Sequence, residues 1–149
     1  MSDFKVTLQY RVPYADTDQM GYVYYANYLV YFERGRNELM RSMGFTYKEM
    51  EEMGIGLPVI EAHTNYRTPA HYDDLLTIEA RLSEIKGLRI MVACKVFRGE
   101  TLLVKGYTRH AFIDMKTGHP VRIPDELRRR FEEVVNPGDE NNQSTIGQQ

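Results

Sequence analysis

Tyr22-Val23-Tyr24-Tyr25-Ala26-Asn27-Tyr28-Leu29-Val30-Tyr31-Phe32, continued by Glu33-Arg34-Gly35-Arg36-Asn37-Glu38-Leu39-Met40, is the stretch that decides the fold. Leu29, Phe32, Arg36, Leu39, Met40 and Met43 recur at helical spacing, which predicts a helix from roughly Tyr25 to Met43. Glu33, Arg34, Asn37, Glu38 and Arg41 supply the polar side of its second half. The first half is apolar or aromatic almost all round, so that end has to be enclosed. Gly35 costs about 1 kcal/mol relative to Ala. Close approach of the helix to backbone would justify it; simple tolerance of a glycine is the other reading. Gly44 is a natural stop.

On either side of this helix the pattern changes to a period of two. Val6, Leu8 and Tyr10 alternate with Thr7, Gln9 and Arg11, which predicts a strand that Pro13 ends. A turn rich in Asp spans Tyr14 to Gly21. After a short helix over Tyr47 to Met53, everything from Val59 to Ile113 reads as strand. Ile60, Ala62, Thr64 and Tyr66 alternate with polar neighbours. So do Leu76, Ile78, Ala80 and Leu82, and then Ile90, Val92, Cys94 and Val96. Arg98-Gly99-Glu100 reads as a hairpin turn, and the last strand runs from Leu102 to Ile113. Thr117-Gly118-His119-Pro120 is a further turn. A final helix covers Pro124 to Val135. One strand, one enclosed helix and four strands in meander-like sequence predict an α+β fold with an antiparallel sheet. Helix and sheet bury each other best if the sheet curls round the helix, which is the hotdog arrangement. We expect one domain over residues 1–135 and a disordered polar tail over 136–149.

Composition narrows the function. With 149 residues, 42% hydrophobic and 27% charged, the chain matches one ordinary globular domain. Its formal net charge of -2 offers no polybasic surface, which argues against nucleic acid as a partner. The single cysteine, Cys94, fits a reducing compartment. The start lacks a signal-peptide pattern, and no apolar run is long enough to span a membrane, so the cytoplasm is expected.

Tyr14-Ala15-Asp16-Thr17-Asp18-Gln19-Met20-Gly21-Tyr22-Val23-Tyr24-Tyr25-Ala26-Asn27-Tyr28 carries a family resemblance. It resembles the signature of the 4-hydroxybenzoyl-CoA thioesterase-like hotdog family, in particular its YbgC-type acyl-CoA thioesterases. Their pattern is D-x-D-x-x-G followed by V-x-[YHF]-x-N-Y. Phe32-Glu33-Arg34-Gly35-Arg36 and Tyr72-Asp73-Asp74-Leu75-Leu76-Thr77-Ile78 resemble the same family. The resemblance covers roughly Val6 to Val135. It implies hydrolysis of an acyl-CoA thioester to a carboxylic acid and free CoA, with no cofactor and no metal.

The resemblance puts the catalytic carboxylate at Asp18 and a backbone N–H donor for the thioester oxygen at Tyr25. The chemistry is consistent with that choice. Thioester hydrolysis needs a nucleophile or a base, and donors for a carbonyl oxygen that gains charge. A helix N-terminus supplies unpaired amides and a positive dipole end. Asp18 acts either as nucleophile or as general base. Gly21, Tyr24 and Asn27 belong to the expected substrate site, with Asn27 also readable as a helix cap. Many relatives carry His where this chain has Tyr25. The backbone donor survives that change, and a side-chain role of His does not. Asp16 is expected to bind turn amides.

CoA phosphates call for cations, and Lys86 and Arg89 flank Gly87-Leu88 at a strand turn. The family carries a basic cluster near this turn. Arg128-Arg129-Arg130 reads as a solvated helix face. His63, His71, His110 and His119 lack metal-ligand spacing, and Cys94 reads as a buried thiol. No G-x-S-x-G, G-x-x-x-x-G-K-[ST] or G-x-G-x-x-G string occurs. Two other activities fit a hotdog chain: a non-catalytic acyl-thioester-binding module, and a dehydratase, which needs a His absent from the turn and the first half of the helix. One sheet round one helix leaves an edge and apolar surface uncovered. The family closes these by pairing subunits, so a homodimer or homotetramer is expected with sites between subunits.

Overall fold

The computed structural model describes residues 4–44 and 46–135, so the tail expected over 136–149 lies outside the described residues. Strand β1 (Val6–Arg11) leads through a 3-10 turn (Tyr14–Asp16) to helix α1 (Asn27–Ser42) and helix α2 (Tyr47–Glu52). Strands β2 (Ile55–Gly56), β3 (Val59–Tyr66), β4 (Leu75–Lys86), β5 (Arg89–Arg98), β6 (Thr101–Ala111) and β7 (Ile113–Asp114) follow, then helix α3 (Asp125–Val135). Among the described residues no helix is long and apolar enough to cross a membrane.

Five strands form one antiparallel sheet in the order β1-β4-β5-β6-β3. The meander-like order expected from the sequence therefore holds only for β4, β5 and β6. β3 pairs with β6 at the far edge, and residues 67–74 cross back over the helix start. Two contacts pin that crossing: the Arg67 N–H donates to the Leu103 carbonyl at 2.8 Å, and the Ala70 N–H donates to the Tyr28 hydroxyl at 3.1 Å. Alternation reports which face a side chain takes and is silent on which strand lies beside it.

The sheet wraps α1, as the hotdog arrangement requires. Leu76, Ile78 and Ala80 of β4, Val92, Cys94 and Val96 of β5, and Val104, Thr108 and His110 of β6 are buried. Two glycines let the layers close. A Cβ on Gly35 would lie 3.1 Å from both the Ala80 Cβ and the Ile78 Cγ2. On Gly106 it would lie 2.9 Å from the Phe32 ring and collide with the His63 carbonyl oxygen. Phe32 thus fills the gap left by a side chain that Gly106 lacks.

α1 begins at Asn27, two residues later than expected. Tyr25 and Ala26 form a turn closed by the Tyr28 N–H to the Tyr25 carbonyl at 3.4 Å and the Leu29 N–H to the Ala26 carbonyl at 3.1 Å. Leu29, expected in the core, is 39% exposed, whereas Tyr28 and Tyr31 are buried. The tyrosines go inward because their hydroxyls find partners there. The arginine run of α3 is not simply a solvated face. Arg128 donates to the Gly87 carbonyl at 2.8 Å and Arg130 to the Gly44 carbonyl at 3.1 Å, which docks α3 on the β4–β5 turn and the end of α1.

β3 differs from every other long strand: seven of its eight residues are exposed, Val59, Ile60 and Tyr66 among them. Its cross-strand partners settle its faces. Ala62 pairs with Thr108, Thr64 with Gly106 and Tyr66 with Val104, so these three share the face that carries α1. Apart from Tyr66, whose ring meets Tyr25 and Tyr28, β3 is largely uncovered on that side, and no strand pairs with its outer edge among the described residues.

Candidate active site

The turn after β1 is held in two layers. In the inner one, the Tyr10 and Tyr31 hydroxyls both donate to the same Asp16 oxygen, Oδ2, at 2.8 Å each. The expectation that Asp16 binds turn amides is corrected by this pair. Burial, then the bond to Asp16, raises the hydroxyl pKa of both Tyr31 and Tyr10. The Asp16 carbonyl also accepts from the Tyr24 N–H and from the Asn27 side-chain amide, each at 2.9 Å. Asn27 therefore ties the turn to the first residue of α1. It is not the helix cap, which is Ala26, and Ala26 offers no side-chain hydrogen bond.

Asp18 occupies the outer layer, in a small hairpin. Its N–H donates to the Tyr22 carbonyl at 2.8 Å, and its carbonyl accepts from the Gly21 N–H at 3.0 Å. Gly21 has φ +80°, a conformation that side chains disfavour, and so the turn closes here. Asp18 Oδ1 accepts from the Met20 N–H at 2.9 Å and the Tyr22 N–H at 3.1 Å. Its other oxygen, Oδ2, takes no hydrogen bond among the described residues. Asp18 is exposed. The carboxylate is thus fixed by one oxygen and open at the other.

The start of α1 follows directly. The Tyr25 and Ala26 amides donate no hydrogen bond among the described residues, as the geometry of a helix start dictates. Tyr25 is 62% exposed. The Tyr66 hydroxyl donates to the Tyr25 carbonyl at 3.1 Å, which fastens the helix start to one end of β3. Tyr24 and Tyr25 lie ring to ring with centroids 4.7 Å apart. Asp18, Gly21, Tyr24, Tyr25 and Asn27 are therefore brought together in one exposed turn. Tyr66 was not singled out from the sequence; an aromatic at a strand end gave no signal of reaching the helix.

Lys86 and Arg89 end up elsewhere. They face each other across the β4–β5 turn and line a hollow of about 560 Å³ with Arg109, a cation that sequence reasoning missed. Arg109 also pairs with Glu61 of β3 at 2.6 Å. This cationic hollow is at the wrong end of the sheet for Asp18. The Val12 N–H, just after β1, donates to the Asp74 carbonyl beside the start of β4, and Lys86 is the last of the 12 residues of β4. At strand rise the two ends are about 36 Å apart. Cys94, read as a buried thiol, is buried, and burial pushes it up to about 12.

A curled antiparallel sheet round one helix, with a carboxylate and unpaired amides where that helix begins, defines a hotdog protein of the thioesterase type. The chain belongs to the thioesterase-like superfamily, whose family model matches residues 12–131. It is 36% identical over 132 residues to the acyl-CoA thioesterase YbgC of Haemophilus influenzae, covering 88% of this chain and 97% of that one. To the acyl-CoA thioester hydrolase YbgC of Escherichia coli it is 27% identical over 124 residues, covering 83% and 92%. The crystal structure of the hypothetical protein TT1821 from Thermus thermophilus superposes with a TM-score of 0.83 at 30% identity, covering 88% of this chain and 98% of that one.

Proposed function

We propose that the chain is an acyl-CoA thioester hydrolase in which Asp18 delivers the attacking oxygen and the Tyr25 amide binds the thioester oxygen. The observation that carries this reading is the half-engaged carboxylate of Asp18 in the turn that leads into two amides without a donor bond among the described residues. Asp18 either attacks the thioester carbon and expels the CoA thiolate, giving a mixed anhydride that water opens, or takes a proton from a water that attacks the carbon and expels the thiolate; the thiolate leaves as free CoA after taking a proton. In both routes the carbonyl oxygen gains negative charge, and aimed amides at a positive helix end stabilise it. Gly21 keeps the turn in shape, and Tyr24 and the Asn27 tether border the acyl group. The names of the YbgC relatives support the substrate class.

Lys86, Arg89 and Arg109 suit the phosphates of CoA. Their distance from Asp18 within one chain supports a homodimer. Two-fold antiparallel pairing of two β3 strands carries the Val59 end of one strand to the Tyr66 end of the other. The cationic end of each sheet then approaches the helix start of its partner. The long exposed edge is suited to such pairing, and two dimers pairing again give the tetramer. A monomer at micromolar concentration by light scattering counts against this assembly.

Asp18→Asn keeps an acceptor for the turn amides and removes the charge. We expect an unchanged fold by circular dichroism and a fall in kcat of at least about 100-fold on acyl-CoA, followed by thiol release. Wild-type turnover in that variant removes the catalytic assignment. A second reading, a binding module without turnover, draws on the same two bonds to Asp18 Oδ1, which suit a purely structural turn residue. Acyl-CoA binding with no CoA release selects it.

A further inference from the structure

Four hydrogen bonds converge on Asp16 from separate parts of the chain. Its Oδ2 accepts from the Tyr10 hydroxyl of β1 and the Tyr31 hydroxyl of α1, at 2.8 Å each. Its carbonyl accepts from the Asn27 side-chain amide and the Tyr24 N–H, at 2.9 Å each. Asn27 and Tyr31 stand one turn apart on the same face of α1, so Asp16 is seated against that face by main chain and side chain together. The legs of this clamp are themselves held. The Tyr10 and Tyr31 rings have centroids 5.0 Å apart, and the Arg34 guanidinium sits 4.6 Å over the Tyr10 ring. Among the described residues no ion pair offsets the charge of Asp16.

The path from this clamp to the reacting groups is short and bonded at each step. Thr17, the residue between Asp16 and Asp18, gives both its N–H and its hydroxyl to the Tyr14 carbonyl, at 3.0 and 2.7 Å, and pairs across the turn with Val23. The Val23 N–H is held by the Ala70 carbonyl at 2.9 Å. Asp18 comes next, its own N–H on the Tyr22 carbonyl at 2.8 Å. On the other arm, the Tyr24 N–H that Asp16 holds immediately precedes the Tyr25 amide. Asp16 therefore fixes the carboxylate-bearing turn and the amide-bearing helix start at once.

Closing a turn needs no such clamp: Asp18 does it on backbone amides alone. The half-buried carboxylate of Asp16 loses hydration, and two charge-assisted hydroxyl bonds to one oxygen offset that loss only while both donors stay in place. A polar cluster bonded in this way defines one geometry, where apolar packing tolerates several. Attack on a thioester depends on that geometry, since displacing a reacting group by about 1 Å can cost about 100-fold in rate. We propose that Asp16 is a positioning residue for the hydrolysis: clamped by the Tyr10 and Tyr31 hydroxyls, it aims the Asp18 carboxylate at a thioester whose oxygen lies on the Tyr25 amide. This inference rests on the hydrolase reading given above.

The test uses the full chain, well below the Tm of each variant, and follows CoA release from acetyl-, hexanoyl- and benzoyl-CoA. Asp16→Asn keeps an oxygen that can accept both hydroxyls and loses the charge. Tyr10→Phe with Tyr31→Phe removes both donors, keeps the ring packing, and covers the case in which Asp16→Asn does not fold. On the fastest thioester we expect kcat to fall by about tenfold or more in either variant, with KM within about twofold of wild type. Added to Asp18→Asn, the same changes should lower the residual rate by less than about twofold, because no carboxylate is left to aim, while their effect on Tm is the same in both backgrounds. A purely structural role gives other results. Wild-type kcat in the folded variants, kcat and KM failing together, or an equal loss of rate with and without the Asp18 carboxylate each overturns the proposal. The hydrolase reading fails by separate signs: no CoA release from any thioester by wild type, or wild-type turnover in Asp18→Asn. Either of those removes both readings, whereas wild-type kcat in the Asp16 and tyrosine variants alone removes only this one.

Discussion

His110 sits at the end of a directed chain of hydrogen bonds. Arg36 Nη1 donates to Thr108 Oγ1, that hydroxyl lies 2.8 Å from His110 Nε2, and His110 Nδ1 lies 3.1 Å from the Leu57 carbonyl. A carbonyl can only accept, so Nδ1 carries the proton and Nε2 accepts from Thr108. Burial first, and Arg36 second, push the pKa of His110 down to about 4. In the unfolded chain it titrates near 6.5 (a value typical of free His), so between about 6.5 and 4 the unfolded chain takes up a proton that the folded chain refuses. Stability is therefore complete above this window and is lost as pH falls through it, by roughly 3 kcal/mol in full. Urea unfolding at pH 7 and pH 4.5 should show most of that fall in wild type and much less of it in His110→Gln. The same pH slope in both proteins would refute the assignment. Nothing in the spacing of the histidines distinguished His110 from His63, which is exposed and stacks on Tyr107. The difference arises only when β6 is laid against Arg36.

The contact between α1 and the sheet depends on absent side chains. Gly35 was legible in advance, because glycine inside a helix has a cost that close packing explains. Gly106 was not, since one glycine in an alternating strand carries no mark of the ring that will fill its place. Gly106→Ala drives a methyl into the His63 carbonyl and the Phe32 ring. Because one of those neighbours is backbone, the sheet cannot relax locally. We expect a loss of 3 kcal/mol or more, about the upper end for overpacking, seen as failure to fold or a large fall in Tm. A variant with wild-type Tm would show that the wrap is looser than these distances imply. The same contrast runs through the elements as a whole. Helix, strand and turn identities were readable because each follows a local period or a special φ. The place of β3 at the far edge was not, because pairing is decided by where the chain is pinned at Arg67 and Ala70. The resemblance separated Asp18 from Asp16 and gave Asp16 a structural part, but it did not show that two inward tyrosines, and not turn amides, hold the half-buried Asp16 carboxylate.

For the molecule as a whole, the geometry to be explained is that the carboxylate and the cations occupy opposite ends of one sheet. The family was foreseen from the Tyr14–Tyr28 signature and the curled sheet from one enclosed helix among alternating strands, but the separation was not, because sequence distance says nothing about which end of a strand faces which site. The pairing through β3 proposed above would resolve it and give the uncovered edge a role. Each site would then be a composite in the proposed dimer: Asp18 and the helix start from one chain, Lys86, Arg89 and Arg109 from the other.

That division permits rescue between two damaged proteins. A chain carrying Asp18→Asn and a chain carrying Lys86→Ala with Arg89→Ala each fail alone, measured at substrate concentrations well below KM. After subunit exchange, every hybrid contains one site with both defects and one with neither. With random exchange half of the dimers are hybrids, so about a quarter of wild-type activity returns from two nearly inert preparations. Were each chain self-sufficient, mixing would restore nothing.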